Sequence, residues 1–221
     1  YLQIDEDAEK ILEAAAAGGA DVLCLCDTNG GTFPTDIGDV TQKAVCEFPG
    51  VQVGIHCHND TGMAVAQTMF AVEGGARQVQ GTFIGFGERC GNANLSTVIP
   101  NLELKRGYEV LGEENLKNLT ETARRIADIS NIWLPSSSPY VGSSAFAHKG
   151  GMHIDGVKKI RESFEHVDPQ KVGNNRRFLM SEVSGKATLI KKIQRVDPAV
   201  TVKDPVVGEL VDRLKQLEFE G

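Results

Sequence analysis

The chain has 221 residues, 41% hydrophobic and 24% charged, enough for one sizeable domain or one domain with a small appendage. Its formal net charge of −7, from 23 basic and 30 acidic residues, argues against a nucleic-acid binder, which carries a basic stripe. No apolar run approaches the ~20 residues a membrane-spanning helix needs, and no basic, apolar-cored leader opens the chain.

In chain order, residues 5–19 read as a helix: acidic residues first, alanines next, a glycine pair at the end. Asp21 to Cys26 is a short apolar strand, and Asp27 to Pro34 a polar, glycine-rich loop. Asp36 to Phe48 reads as a helix, Val51 to Ile55 as a strand, and Thr61 to Gly74 as a helix. Arg77 to Phe83 is a third strand, followed by the glycine-rich loop Gly85 to Asn92 and a helix from Asn94. Short buried strands alternating with helices at intervals of about 26 to 30 residues indicate parallel βα units. Three such units fit an open doubly wound sheet or part of a (β/α)₈ barrel. Neither a dinucleotide fingerprint nor a P-loop is present.

Beyond residue 113 the alternation stops. Glu113 to Ile132 reads as one long helix, and residues 133–144, rich in proline and serine, as a linker. Short helices are expected at Asp155–Phe164, Ser184–Gln194 and Pro205–Phe219. The division predicted is 1–132 for the α/β part and 133–221 for the linker and a smaller, mainly helical region. The five cysteines show no disulfide spacing and read as reduced cytoplasmic thiols. Cys24 and Cys26 share a strand face and are expected in the core.

In parallel α/β domains the chemistry sits in the loops at the carboxyl ends of the strands, and all three such loops here are polar. The second holds His56-Cys57-His58-Asn59-Asp60. Side chains on a strand alternate faces, so His56 and His58 point the same way, with Cα atoms roughly 6.6 Å apart. The pair reads either as two solvated loop histidines or as ligands converging on one cation, and its place at the end of an apolar strand favours the cation. Asn92 could add an amide oxygen from the neighbouring loop. A carboxylate ligand is expected too, with Asp27 and Asp60 as candidates on proximity alone. Thr28 offers a hydroxyl and an amide to a substrate carboxylate, or simply forms a turn. Glu88 and Arg89 read as an ion pair bracing their loop. His148 and His153, in a glycine-rich segment, are either surface residues or a general acid/base pair closing over the mouth of the site.

Together LCDTNGG, GIHCHNDTGMAVA, QVQGTFIGFGERCGNANL and VGSSAFAHKGGMHIDG resemble the DRE-TIM metallolyases. Within that superfamily they are similar to the 2-isopropylmalate, homocitrate and citramalate synthases, most of all the citramalate branch. The resemblance implies an α/β fold: the C-terminal part of a (β/α)₈ TIM barrel, its last three βα units, followed by a small mainly helical subdomain. It implies an acyltransferase that condenses acetyl-CoA with a 2-oxo acid, pyruvate foremost, then hydrolyses the thioester, as in isoleucine synthesis. A divalent metal ion (Mn, Mg, Zn or Co) would be held by His56, His58 and Asn92, with Thr28 at the oxo-acid carboxylate. His153 would be the catalytic acid/base, and the full-length protein a cytoplasmic homodimer with no nucleic-acid or membrane partner. The alternatives are a 2-isopropylmalate synthase, a hydroxymethylglutaryl-CoA lyase-like enzyme, and an inactive metal-binding remnant. The Asp-Arg-Glu/Asp-Gly motif of the family's first strand is absent from these residues. Both ends read as cuts through a longer protein, and the 221 residues alone are expected to be inactive.

Overall fold

The computed structural model describes residues 3–149, 156–157, 159–179, 190, 193–194, 196–201 and 204–220. Helix α1 (Glu6–Ala17) starts where the Asp5 carboxylate accepts a 2.9 Å hydrogen bond from the Ala8 N–H, and it ends at Gly18. Glu6, Asp7 and Glu9 in its first turn meet the positive end of the helix dipole. Next come β1 (Val22–Asp27), α2 (Pro34–Glu47), β2 (Gln52–Cys57), α3 (Ala64–Glu73), β3 (Gln78–Gln80) and α4 (Leu95–Arg106). The strands form one parallel sheet in the order β1-β2-β3, with Cys26, His56 and Gln80 side by side in one register row.

Alternation gives the sheet two unlike faces. Leu25, Val53 and Ile55 are buried against Ile37 and Ala44 of α2, Ala71 and Val72 of α3, and Val98 and Leu102 of α4. Cys24, Cys26, His56, Gln78 and Gln80 lie on the other face, half-buried or exposed. Helices outside and a polar face inside form a segment of a TIM-barrel wall. The expected core position of Cys26 does not hold: it shares the face of His56 and is exposed.

Three predicted boundaries move for local reasons. The helix expected from Thr61 begins at Ala64, because Gly62 adopts φ 74° and Asn59 Oδ1 accepts the Ala64 N–H at 3.1 Å. The third strand is shorter than expected, because after Gln80 the chain pairs with its own downstream segment, Thr82 opposite Asn94. The long helix of 113–132 divides into α5 (Glu113–Leu116) and α6 (Leu119–Ile129). Between them the Asn118 N–H bonds the Asn115 carbonyl at 3.0 Å, a tight turn suited to asparagine.

A second core joins the later region to the outer helices. Tyr140, Val141, Phe146 and Val172 pack with Ile99 of α4, Leu116 of α5, and Leu119 and Ala123 of α6. The Tyr140 hydroxyl donates to Asn101 Oδ1 at 2.7 Å, and Thr120 Oγ1 to the Val172 carbonyl at 2.6 Å. This region contains the parallel pair β4 (Ala147–His148) and β5 (Arg177–Phe178), and short 3-10 turns at Arg161–Ser163 and Pro169–Val172. Helix α7 (Pro205–Glu220) matches the expected last helix. Of the helix expected at 155–164, the described residues retain short pieces, and the one expected at 184–194 falls largely outside the described residues. No helix among the described residues is long and apolar enough to cross a membrane.

Candidate metal centre

His56 stands one residue before the end of β2, on its polar face, and His58 follows just beyond the strand. Their ring centroids lie 5.1 Å apart with planes at 67°. His56 Nδ1 lies 3.3 Å from Gln80 Oε1, and His58 Nδ1 lies 3.3 Å from the main-chain oxygen of Asp27. Both partner atoms can only accept, so these contacts engage each ring through an Nδ1–H donor and leave Nε2 out of them. The Gln80 amide is itself oriented by donating from Nε2 to Gln78 Oε1 at 3.2 Å.

Asn92 is brought opposite His58 because its loop folds back over the end of β2. The Asn92 N–H bonds the Gly85 carbonyl at 3.0 Å, and the Ala93 N–H bonds the Cys57 carbonyl at 3.0 Å, so Asn92 faces His58 across a β-bridge. Gly91 makes the fold-back possible: it has φ 89°, and a Cβ there would lie 1.9 Å from the Gly85 oxygen. Asn92 Nδ2 donates to the Phe86 carbonyl at 3.2 Å, whereas its Oδ1 is buried and accepts no hydrogen bond. A buried acceptor left unpaired costs about 1–3 kcal/mol, and a cation is a partner that would remove the cost. Two imidazole nitrogens and one amide oxygen are a donor set that suits a divalent ion.

A carboxylate ligand does not come from either expected source. Asp27 lies on the face of Leu25, turned toward the helices, and is 1% exposed. Its Oδ1 accepts from Thr32 Oγ1 at 2.8 Å and its Oδ2 from Gln67 Nε2 at 3.1 Å, so it pins the first loop from within. Asp60 is taken by Arg89, whose Nε and Nη2 donate to Oδ1 and Oδ2 at 2.8 and 3.1 Å. That hydrogen-bonded guanidinium holds the Asp60 carboxyl below the usual carboxylate range. Among the described residues no three or more His, Cys, Asp and Glu side chains cluster as a metal site. The expected Glu88–Arg89 brace is a minor contact of 3.7 Å to a carboxylate 84% exposed, because Arg89 turns inward instead. Its Nη2 also donates to the Thr28 carbonyl at 2.7 Å, so Arg89 ties all three loops together.

Thr28 is exposed at an open cavity of about 740 Å³, lined also by Cys26, Asn29, Asp60 and Arg89. The structure therefore brings His56, His58 and Asn92 together, with Thr28 on the adjoining loop. His153 lies outside the described residues. His148 is no surface residue: it is 8% exposed, and its Nε2 lies 2.9 Å from Glu165 Oε1. Arg176 grips the same carboxylate, with Nε 2.6 Å from Oε1 and Nη2 on Oε2. Burial pushes the Glu165 carboxyl up, but the hydrogen bonds from Arg176 and His148 outweigh it and hold it below its ordinary value. His148 thus anchors β4 through its contact with a carboxylate that Arg176 also holds.

The family model described as HMGL-like matches residues 3–126, and one described as homocitrate synthase post-HMGL domain-like matches residues 140–221. The (R)-citramalate synthase of Aquifex aeolicus is 49% identical over all 221 residues, which cover 42% of its length. The 2-isopropylmalate synthase of Pyrococcus abyssi is 35% identical over 87% of this chain and 40% of its own. Among solved structures, the HMG-CoA lyase of Bacillus subtilis superposes with a TM-score of 0.51 at 26% identity, over 57% of this chain and 43% of the lyase. The chain thus spans less than half the length of these relatives, and with more than half of its residues matched by the HMGL-like model it belongs to the HMGL-like family.

Proposed function

We propose that this chain carries the metal-binding end of an acyltransferase that condenses acetyl-CoA with pyruvate to citramalate and hydrolyses the thioester, on the route to isoleucine. Residues 1–132 would form the last three βα units of its barrel and 133–221 the linker and subdomain. The observation that carries the reading is the buried, unpartnered Oδ1 of Asn92, which bridges to His58, together with two imidazoles whose Nδ1 atoms are occupied. The 49% identity to a citramalate synthase, against 35% to a 2-isopropylmalate synthase, supports pyruvate over a branched oxo acid.

A divalent ion bound there would supply Lewis acidity to the ketone of the oxo acid. Gln80 and the Asp27 carbonyl hold the His56 and His58 rings so that both Nε2 lone pairs remain available. Asn92 adds a neutral oxygen. Thr28 offers its hydroxyl to the oxo-acid carboxylate at the rim of the cavity. The proton of the acetyl methyl group is assigned to His153 as acid/base. The remaining site groups, acetyl-CoA binding and a homodimeric, cytoplasmic state belong to the longer protein, and the 221 residues alone would not turn over.

The test is thiol release from acetyl-CoA by the full-length parent, with pyruvate and with 2-oxoisovalerate as acceptors. The expected result is release with pyruvate and its loss in His56→Ala. Preference for 2-oxoisovalerate would replace the reading with a 2-isopropylmalate synthase, and an undiminished His56→Ala would refute the site.

A further inference from the structure

We propose that Arg89 is a positioning residue for the oxo acid: anchored on Asp60, its guanidinium fixes the Thr28–Asn29 peptide at the rim of the cavity. The proposal rests on the reading of Thr28 as the seat of the oxo-acid carboxylate. The first two loops are already joined, since Thr61 Oγ1 donates to the Gly30 carbonyl at 2.8 Å. Gly30 also lies so close to Asp60 that a Cβ would stand 2.5 Å from its Oδ2. Thr28, exposed between these points, is reached from the third loop by Arg89 Nη2 at 2.7 Å. The same planar fork holds both oxygens of Asp60. A guanidinium satisfies the three contacts at once because its donors are fixed in one plane, which a lysine ammonium cannot do.

The consequence follows from peptide geometry. A trans peptide sets its carbonyl and the next N–H on opposite sides. Holding the Thr28 carbonyl toward Arg89 therefore turns the Asn29 N–H away from the guanidinium, on a loop whose Thr28 and Asn29 both line the cavity. Hydroxyl and amide then form a pair of donors whose direction is set before a carboxylate arrives, which lowers the ordering cost of binding. The backbone fits this role. Arg89 has φ 54°, a conformation glycine adopts freely and long side chains rarely do. Glycine at 89 would relieve the backbone while removing the fork, which separates the two effects.

The experiment uses the full-length, metal-loaded parent with Arg89→Gly, Arg89→Lys and Asp60→Asn. Arg89→Gly should raise KM for pyruvate roughly tenfold, with KM for acetyl-CoA and bound metal nearly unchanged and kcat reduced far less than pyruvate affinity. Arg89→Lys should raise the same KM by a smaller factor, and Arg89→Gly combined with Asp60→Asn should do no more than Arg89→Gly alone. Calorimetric titration of pyruvate should show the same loss without turnover. An unchanged KM for pyruvate, an equal rise for both substrates, or loss of the metal would overturn the proposal. A parent that binds no 2-oxo acid would refute the functional reading itself, whereas a parent that binds pyruvate as well with Arg89→Gly overturns the positioning role alone.

Discussion

Replacing Glu165 with glutamine keeps the shape of the side chain and removes its charge from a buried network. In the structure this carboxylate is 6% exposed, accepts from His148 Nε2 at 2.9 Å, and receives two donors from Arg176. Breaking a buried ion pair from one side typically costs about 3–5 kcal/mol. Arg176 keeps 21% of its side chain in water, and the amide oxygen still accepts one bond, so the loss here should be about 2–3 kcal/mol. For a domain of this size that lowers Tm by roughly 5–10 °C. The sign with pH follows from linkage. The folded-state carboxyl is held below its ordinary value of 4.5, so its stabilisation is fully present above that value and fades as pH falls through the lowered one. Thermal unfolding of the parent and the variant near pH 7 should therefore show the full gap, and near pH 4 a narrower one. Equal melting near pH 7, or a gap that widens on acidification, would refute the idea that this network anchors β4.

Three further outcomes follow from the geometry. Asp27→Asn should lower stability by about 1–3 kcal/mol while leaving metal affinity nearly unchanged, because Asp27 serves Thr32 and Gln67; chemical denaturation and a metal titration separate the two. Gly91→Ala places a Cβ 1.9 Å from the Gly85 oxygen at φ 89°, so it should displace Asn92 and weaken metal binding roughly tenfold or more, read by the same titration. Burial pushes the Cys57 thiol up to about 12, so native-state alkylation at neutral pH should label the exposed Cys26, Cys46 and Cys90 and spare Cys57 until the protein unfolds, as read by peptide mass spectrometry.

The wall of strands and helices was legible because its signals are local. A short apolar run marked β1, alternating apolar residues marked β2, and Asp5 with the following acids marked the start of α1. The His-x-His face was legible for the same reason, since a period of two puts His56 and His58 together. The same rule could have placed Asp27 correctly: it continues the Leu23, Leu25 series and so faces the helices rather than His56. Asp27 was a candidate on proximity alone, which does not tell the two faces apart. What no local pattern encodes is pairing across distance. Arg89 meets Asp60 and Thr28 through loops that only the sheet brings together, and Glu165 meets His148 and Arg176 through the fold of the later region. The split of the 113–132 helix was foreshadowed by Asn115 and Asn118, which favour turns over helix interiors.

The central claim, a divalent ion held between His56, His58 and Asn92, is tested most directly by binding. Metal-free full-length parent is titrated with Mn²⁺, with free ion read by electron paramagnetic resonance. The account predicts tight binding by the parent, loss of affinity by roughly 100-fold or more in His56→Ala or His58→Ala, and a smaller loss in Asn92→Ala. Histidine variants that bind the ion as tightly as the parent would place the metal elsewhere and contradict the account.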